Sequence, residues 1–185
     1  MKELLMDIPV LEVKNLSSWY REETSHGRHV RHAVLHDVSF TLNRGEILGI
    51  VGESGTGKSA SMRNFTPDQV GVFNVGAKPF PFRSRLNKVD TDDYRVIMGG
   101  LSKMKTRSAV IDDAQYLMAN EYMRRCKENG YQKFTDIATN FWNLAQFVIR
   151  ELPSDRIVYF MCHVERDQEG REKCKTIGKM LDDKI

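Results

Sequence analysis

Residues 52–59 have the composition and spacing of a loop that binds phosphate. They read G-E-S-G-T-G-K-S, which matches the pattern G-x-x-x-x-G-K-[ST]. The glycines let the backbone bend so that successive N–H groups point at one anion. Lys58 is long enough to reach the β- and γ-phosphates of a nucleoside triphosphate, and the Ser59 hydroxyl can ligate Mg²⁺. An apolar run at residues 46–51 precedes the loop and residues 58–63 can begin a helix, which is the context the motif requires.

The loop therefore predicts a site for ATP and Mg²⁺. Its backbone amides would bind phosphate oxygens, and the partial positive charge of the helix N-terminus would add to that attraction. Lys58 is also predicted to be catalytic and Ser59 to bind the metal ion. The predicted nucleotide contacts are Gly52, Glu53, Ser54, Gly55, Thr56, Gly57, Lys58, Ser59 and Ala60.

Two carboxylates close a second apolar strand. The run S-A-V-I ends in Asp112 and Asp113, the pattern of a Walker B strand. Ligands bind at the carboxyl ends of strands in open parallel sheets, so both acids should face the crevice that contains Lys58. We predict that Asp112 holds Mg²⁺, mostly through water, and that Asp113 orients or deprotonates the attacking water. The alternative for Asp113 is the N-cap of the following helix.

His163 ends another apolar strand, residues 156–163. The end of a neighbouring strand can present a polar side chain to the γ-phosphate or to the attacking water, and we include His163 among the catalytic candidates. The alternative is a histidine whose hydrogen bonds are satisfied at a strand terminus.

The elements that would position these side chains alternate between strand and helix patterns, which predicts a parallel sheet. Thr66 and Pro67 stop the helix after the loop within about two turns. A polar insertion separates the first two strands, and an extended loop follows the fourth. The predicted strands are 8–20, 34–42, 46–51, 70–75, 108–113 and 156–163, the insertion is 21–32, the extended loop is 78–82, a capped helix begins near 91–94, and a long helical region is broken near Gly130 and ends before Pro153.

The composition is that of a globular protein. The chain has 185 residues, 41% of them hydrophobic, and a net charge of +3, which is compatible with a nucleic-acid partner without requiring one. No apolar run approaches the roughly 20 residues needed to span a bilayer. Three cysteines without C-x-x-C spacing favour reduced thiols, and we expect a cytoplasmic protein of a bacterial or phage-infected cell.

The first 59 residues resemble the start of an ABC-transporter ATPase of the oligopeptide-importer type. The segments that carry the resemblance are L-E-V-K-N-L-S at 11–17, A-V-L-H-D-V-S-F-T-L at 33–42 and G-E-I-L-G-I-V-G-E-S-G at 45–55. The resemblance implies that Tyr20 stacks on adenine, the alternative being an ordinary tyrosine at a strand end.

From about Ser59 onward the chain resembles RecA-like or AAA ATP-binding proteins of phages. This resemblance rests on N-V-G-A-K-P-F-P-F at 74–82, I-D-D-A-Q-Y-L-M-A-N-E at 111–121 and K-T-I-G-K-M-L at 175–181. It implies a role in phage DNA recombination or replication, with single-stranded DNA and a homo-oligomer as partners. It also implies that the sheet continues past Ile185, so we expect a domain truncated at its C-terminus.

The sequence departs from the ABC pattern after the phosphate loop. It has no L-S-G-G-Q signature, and the interval between Lys58 and Asp112 is too short for an ABC helical subdomain. We therefore interpret the chain as a hybrid and do not expect a transporter partner. The predicted fold is an α/β P-loop NTPase, with an antiparallel β element at 1–45 and a mostly parallel, RecA-like sheet flanked by helices at 46–185. The predicted function is Mg²⁺-dependent ATP binding and hydrolysis; the alternatives are the ATP-binding subunit of an ABC transporter, or a fragment of it, and a non-catalytic ATP- or DNA-binding module.

Overall fold

The computed structural model describes residues 9–23, 29–43, 48–52, 57–166, 170 and 172–176. The chain divides into two compact units, Met1–Glu46 and Ile47–Ile185. The first contains a two-stranded antiparallel sheet, and the second contains a six-stranded sheet flanked by helices.

The described residues of the first unit form two long antiparallel strands, β1 (Leu11–Glu23) and β2 (His29–Leu42). The two strands pair from Leu11 opposite Leu42 to Glu23 opposite His29, so the predicted polar insertion at 21–32 is wrong in extent. A two-stranded ribbon has no buried face that would require alternating apolar residues, and polar positions can therefore continue the ladder. The pairing register shifts between residues 13 and 19, where Asn15 adopts a φ of 51°.

The second unit has a sheet of order β3-β7-β6-β4-β5, all parallel, with β8 pairing antiparallel to β7. The sequence predicted four of these strands and missed two short ones, β5 and β8. The strands are β3 (Leu48–Gly52), β4 (Val70–Asn74), β5 (Asn87–Asp90), β6 (Ser108–Asp112), β7 (Ile157–Arg166) and β8 (Glu172–Cys174).

The helices begin and end where local sequence signals predict. The helix after the phosphate loop is short and passes into a 3₁₀ turn at Met62–Asn64, before Pro67. The Asp93 side chain caps the second helix by accepting a hydrogen bond of 2.8 Å from the Arg95 amide. Gly130, with a φ of 92°, lies between the last two helices. The helices are α1 (Lys58–Ser61), α2 (Tyr94–Lys103), α3 (Gln115–Arg124) and α4 (Gln132–Arg150).

Side chains alternate between two cores, one on each face of the sheet. On β6, Ile111 belongs to the larger core, which contains buried residues of α2, α3 and α4, while Val110 belongs to the smaller core around Met62. The structure confirms the predicted fold class: a mostly parallel sheet flanked by helices, together with an antiparallel β element.

Candidate nucleotide-binding site

Parallel pairing places the predicted site residues at one edge of the sheet. Gly52 at the end of β3 is level with His163 on β7, and Asn74 at the end of β4 is level with Asp112 on β6. β7 lies between β3, which leads into the phosphate loop, and β6, which ends in the acidic residues. A cavity of about 320 Å³ opens at this edge, lined by Gly57, Lys58, Ser59, Ala60, Lys78, Pro79, Phe80, Pro81, Asp112, Asp113 and His163.

The described end of the phosphate loop enters α1 through Gly57. This residue has a φ of 91°, a left-handed conformation that glycine adopts without strain. The Lys58 ammonium donates a hydrogen bond of 2.7 Å to the carbonyl oxygen of Gly52. Glu53, Ser54, Gly55 and Thr56 lie outside the described residues, so their predicted phosphate contacts remain predictions.

The predicted adenine-stacking residue belongs to the other unit. Tyr20 lies on β1 opposite His32, and its side chain lies outside the described part of the structure. Its role stays a prediction.

Ser59 and Asp112, the two predicted magnesium ligands, are in contact. The Ser59 hydroxyl donates to Asp112 Oδ1 over 3.0 Å. Asp112 is only 4% exposed, and this burial raises the pKa of its carboxyl group, with the negative charge of Asp113 adding to the effect. The hydrogen bond from Ser59 and the positive charge of Lys58 oppose the rise without cancelling it. A bound cation at this position would remove the cost of ionisation, because it would favour the carboxylate.

Asp113 has a strained backbone and two side-chain partners. Its φ of 59° is a left-handed value that residues other than glycine seldom adopt. Its Oδ2 accepts a hydrogen bond of 3.0 Å from Lys78 Nζ, and its Oδ1 lies 3.3 Å from His163 Nε2. The N-cap of α3 is Ala114, without a side-chain hydrogen bond, so the alternative that the Asp113 side chain caps this helix is wrong.

His163 is held on three sides. Besides the contact of its Nε2 with Asp113, its backbone amide donates to Gln115 Oε1 over 3.2 Å, and its ring meets the Tyr116 ring edge-on at 5.9 Å between centroids. β7 continues past His163 to Arg166, so the prediction that His163 ends this strand is wrong. A histidine with satisfied contacts nevertheless lines the same cavity as Lys58, so satisfied contacts and a catalytic role are compatible. Its catalytic role remains a prediction.

Lys78 is a cavity residue that the sequence did not single out. It lies after β4, where no motif predicts a functional lysine, and only the fold brings its ammonium to Asp113. The hydrogen bond to Asp113 raises the pKa of Lys78, although burial opposes the rise. Nζ also lies 4.9 Å from the centroid of the Tyr116 ring, a cation–π contact.

The donor set fits a magnesium ion that is shared with phosphate. Magnesium prefers oxygen ligands and is usually bound by one or two protein groups, with water and phosphate oxygens completing the shell. The adjacent oxygens of Ser59 and Asp112 supply such a pair. Across the part of the chain that the structure describes, no group of three or more His, Cys, Asp or Glu side chains could hold a metal ion.

The fold and this edge of the sheet define a P-loop nucleotide-binding protein of the α/β class. Residues 35–71 match the ABC transporter family. The chain is 46% identical over 146 residues to the methionine import ATP-binding protein MetN of Chlamydia felis, an alignment that covers 74% of this chain and 38% of that protein. It is 57% identical over 51 residues to the oligopeptide transport ATP-binding protein OppD of Haemophilus influenzae, which covers 28% of this chain and 14% of that protein. It is 42% identical over 59 residues to the Fe(3+) ions import ATP-binding protein FbpC 2 of the same species, which covers 32% of this chain and 14% of that protein.

These similarities confirm the predicted resemblance to ABC-transporter ATPases. They also extend it, because the family match continues to residue 71 and the match to MetN spans most of the chain. The expectation that the resemblance ends at Ser59 is therefore wrong. The chain spans between about one seventh and two fifths of the length of the three relatives named here.

The phage resemblance and the role in DNA recombination gain no support from these relatives, which are import and transport ATP-binding proteins by name. The transporter alternative fits them better. Their names also count against our expectation of no transporter partner. Within the described residues, no helix is both long enough and apolar enough to cross a bilayer.

Proposed function

We propose that this chain binds ATP together with Mg²⁺ and hydrolyses the bond between the β- and γ-phosphates. The observation that supports this most directly is the 3.0 Å hydrogen bond from the Ser59 hydroxyl to Asp112 Oδ1 in a cavity that Lys58 also lines. The phosphate loop and the acidic strand are 53 residues apart in sequence at these two positions. Their side chains meet because β3 and β6 are the two parallel neighbours of β7 and end on the same side of the sheet.

Each side chain has a role that follows from its chemistry. Lys58 supplies a positive charge to the phosphates, and Ser59 and Asp112 would hold Mg²⁺. When bound, the metal ion neutralises charge on the phosphate oxygens. Asp113 orients water and accepts its proton, and His163 fixes the Asp113 carboxylate through the 3.3 Å contact at Oδ1.

We further propose that the chain works as the ATP-binding part of a transport system. Support comes from the names of its relatives and from the match of residues 35–71 to the ABC transporter family. The partner would then be a membrane-spanning subunit, which co-purification from detergent-solubilised membranes would detect. Stimulation of ATP hydrolysis by single-stranded DNA would instead favour the recombination role.

A nucleotide titration tests the proposed binding. We expect the wild-type protein to bind a fluorescent ATP analogue with Mg²⁺ and to lose most of its affinity in EDTA. Lys58→Ala should weaken binding about 10- to 100-fold, the scale of one hydrogen bond to a charged group. Ser59→Ala should remove most of the difference between Mg²⁺ and EDTA.

The matched control is Ser61→Ala, which alters a serine on the same helix that does not line the cavity. It should leave the magnesium dependence unchanged. If the wild-type protein binds no ATP, or if Lys58→Ala binds as tightly as the wild type, the proposed function is wrong.

Phosphate release measures the proposed hydrolysis separately. We expect Asp113→Asn to lower turnover about 100-fold or more while ATP affinity changes little, because general-base catalysis contributes about 10²- to 10⁴-fold. Binding without turnover by the wild-type protein would contradict hydrolysis and leave an ATP-binding module.

A further inference from the structure

We propose that Lys78 is a second phosphate-binding lysine of this site and makes it prefer a triphosphate to a diphosphate. The inference rests on the proposed function, because it concerns the same cavity. Lys58 and Lys78 are the lysines among the described residues that line this cavity, and Asp112 and Asp113 are its carboxylates. Lys58 belongs to the phosphate loop, whereas Lys78 approaches from the segment after β4.

The backbone around Lys78 is anchored. The Asn74 side chain, only 2% exposed, donates to the Lys78 carbonyl oxygen over 2.8 Å and to Asp90 Oδ1 over 2.6 Å. Phe80 and Phe82 follow, with their rings stacked at 5.2 Å, and both pack against the smaller core. The backbone of Lys78 is therefore fixed, while its side chain remains 58% exposed.

The ammonium of Lys78 is also positioned. Asp113 Oδ2 lies 3.0 Å from Nζ, and the Tyr116 ring lies beneath it. The carboxylate can occupy this position because residue 76 is glycine: a Cβ atom there would lie 2.9 Å from Asp113 Oδ2. An ion pair with a lysine this exposed contributes little to stability. The glycine, the left-handed Asp113 and the buried Asn74 are therefore better explained by the placing of a cation at the cavity than by stability.

The Lys78 ammonium is preorganised: because it is already held in place, it does not have to rearrange when an anion binds. Lys78 is paired with Asp113, the residue proposed to direct water at the terminal phosphate. A cation beside that carboxylate is best placed for the terminal phosphate, whereas Lys58 approaches the β- and γ-phosphates from the phosphate loop. ADP lacks the terminal phosphate, so loss of Lys78 should affect ATP far more than ADP.

The test is the affinity for ATP and for ADP at fixed Mg²⁺, measured by calorimetry on the full chain. We expect Lys78→Met to weaken ATP binding about 10- to 100-fold, the range for a hydrogen bond to a charged group, and to change ADP affinity less than about threefold. Lys78→Gln, a second neutral variant, should give the same pattern, and Lys78→Arg should restore part of the preference for ATP.

Lys88→Met is the matched control. Lys88 also forms an ion pair with a carboxylate, Asp90 at 2.9 Å, and also lies over an aromatic ring, that of Phe80, but it does not line the cavity. It should leave both affinities unchanged. Thermal melting of each variant establishes that it is folded.

Two outcomes separate this inference from the proposed function. If the wild-type protein binds ATP, Lys58→Ala loses binding and Lys78→Met changes ATP and ADP affinity equally or not at all, the role of Lys78 is wrong and the proposed function stands. If the wild-type protein binds no ATP, both are wrong.

Discussion

Replacing Asp112 with asparagine should stabilise the protein in the absence of nucleotide. Asp112 is 4% exposed and burial raises the pKa of its carboxyl group, so the folded protein bears a desolvation cost whenever this group is ionised. Asparagine has the same shape and its Oδ1 can still accept the Ser59 hydroxyl, but it has no charge to desolvate. We expect the free energy of unfolding to rise by about 0.5–2 kcal/mol, the usual size for a single stabilising substitution. In a domain of this size that raises the melting temperature by roughly 1–8 °C.

The gain should depend on pH in a defined direction. The pKa of Asp112 is higher in the folded than in the unfolded protein, so protonation of this group favours the folded state. This stabilisation is fully present at a pH below the pKa of the unfolded state, and it is lost as the pH rises through the pKa of the folded state. The variant should therefore exceed the wild type at neutral pH, and the difference should shrink as the solution is acidified.

The same substitution should reduce stabilisation by ATP with Mg²⁺. A ligand at 100 times its dissociation constant stabilises the folded state by about 2.7 kcal/mol. If loss of the carboxylate weakens binding tenfold, the same ligand concentration contributes only about 1.4 kcal/mol. Differential scanning fluorimetry with and without nucleotide measures both effects on one sample.

Asp92→Asn supplies the control with the opposite sign. Burial opposes ionisation of Asp92 too, but hydrogen bonds from Arg124 and Asn120 outweigh it and hold the pKa of its carboxyl group below the usual range. Loss of that charge should lower stability at neutral pH and leave the nucleotide response unchanged. If Asp112→Asn lowers stability without nucleotide, or keeps the full response to Mg²⁺ and ATP, our account of Asp112 is refuted.

Three further substitutions test the packing around the site and its scaffold. Gly76→Ala should cost about 1–3 kcal/mol in urea unfolding, because the added Cβ would lie 2.9 Å from Asp113 Oδ2; a neutral effect would show that the carboxylate is not fixed there. Gly100→Ala should lower stability by up to about 2 kcal/mol in the same assay, since a Cβ 2.7 Å from the Phe73 ring overpacks the core at a cost of about 1–3 kcal/mol, of which helix propensity returns roughly 1 kcal/mol. Asp93→Ala should cost about 0.5–2 kcal/mol through loss of the α2 cap, whereas Asp93→Asn should retain most of the stability.

The sequence predicts those parts of the fold whose signals are local. Pro67 ends the helix after the phosphate loop, Asp93 caps α2, and Gly130 separates α3 from α4, each through the conformation of its own backbone or side chain. The parallel strands are predicted because their apolar runs are buried on both faces. β5 (Asn87–Asp90) and β8 (Glu172–Cys174) are short and carry no apolar run, so only their neighbours in the sheet define them.

The candidate site likewise contains residues that the sequence predicts and residues that it does not. Ser59 and Asp112 are predictable as a pair because a loop motif and an acidic strand end have fixed places in a parallel sheet. Lys78 is not, because its position depends on the path of an irregular segment that Asn74 anchors from within the core. Nor does the sequence predict that the Asp113 side chain leaves α3 uncapped, since an aspartate before a helix usually caps it.

The backbone of Asp113 explains why the two adjacent acids have different surroundings. With a φ of 59° at Asp113, its carboxylate contacts Lys78 and His163, while the carboxylate of Asp112 contacts Ser59. An extended or helical backbone at Asp113 would direct its side chain elsewhere. The left-handed conformation costs about 1–3 kcal/mol outside glycine, and an ion pair whose lysine is 58% exposed returns at most about 1 kcal/mol. Stability alone therefore does not account for it. The strain is consistent with a carboxylate kept at the cavity for chemistry, and Asp113→Gly should accordingly preserve or raise stability while turnover is lost.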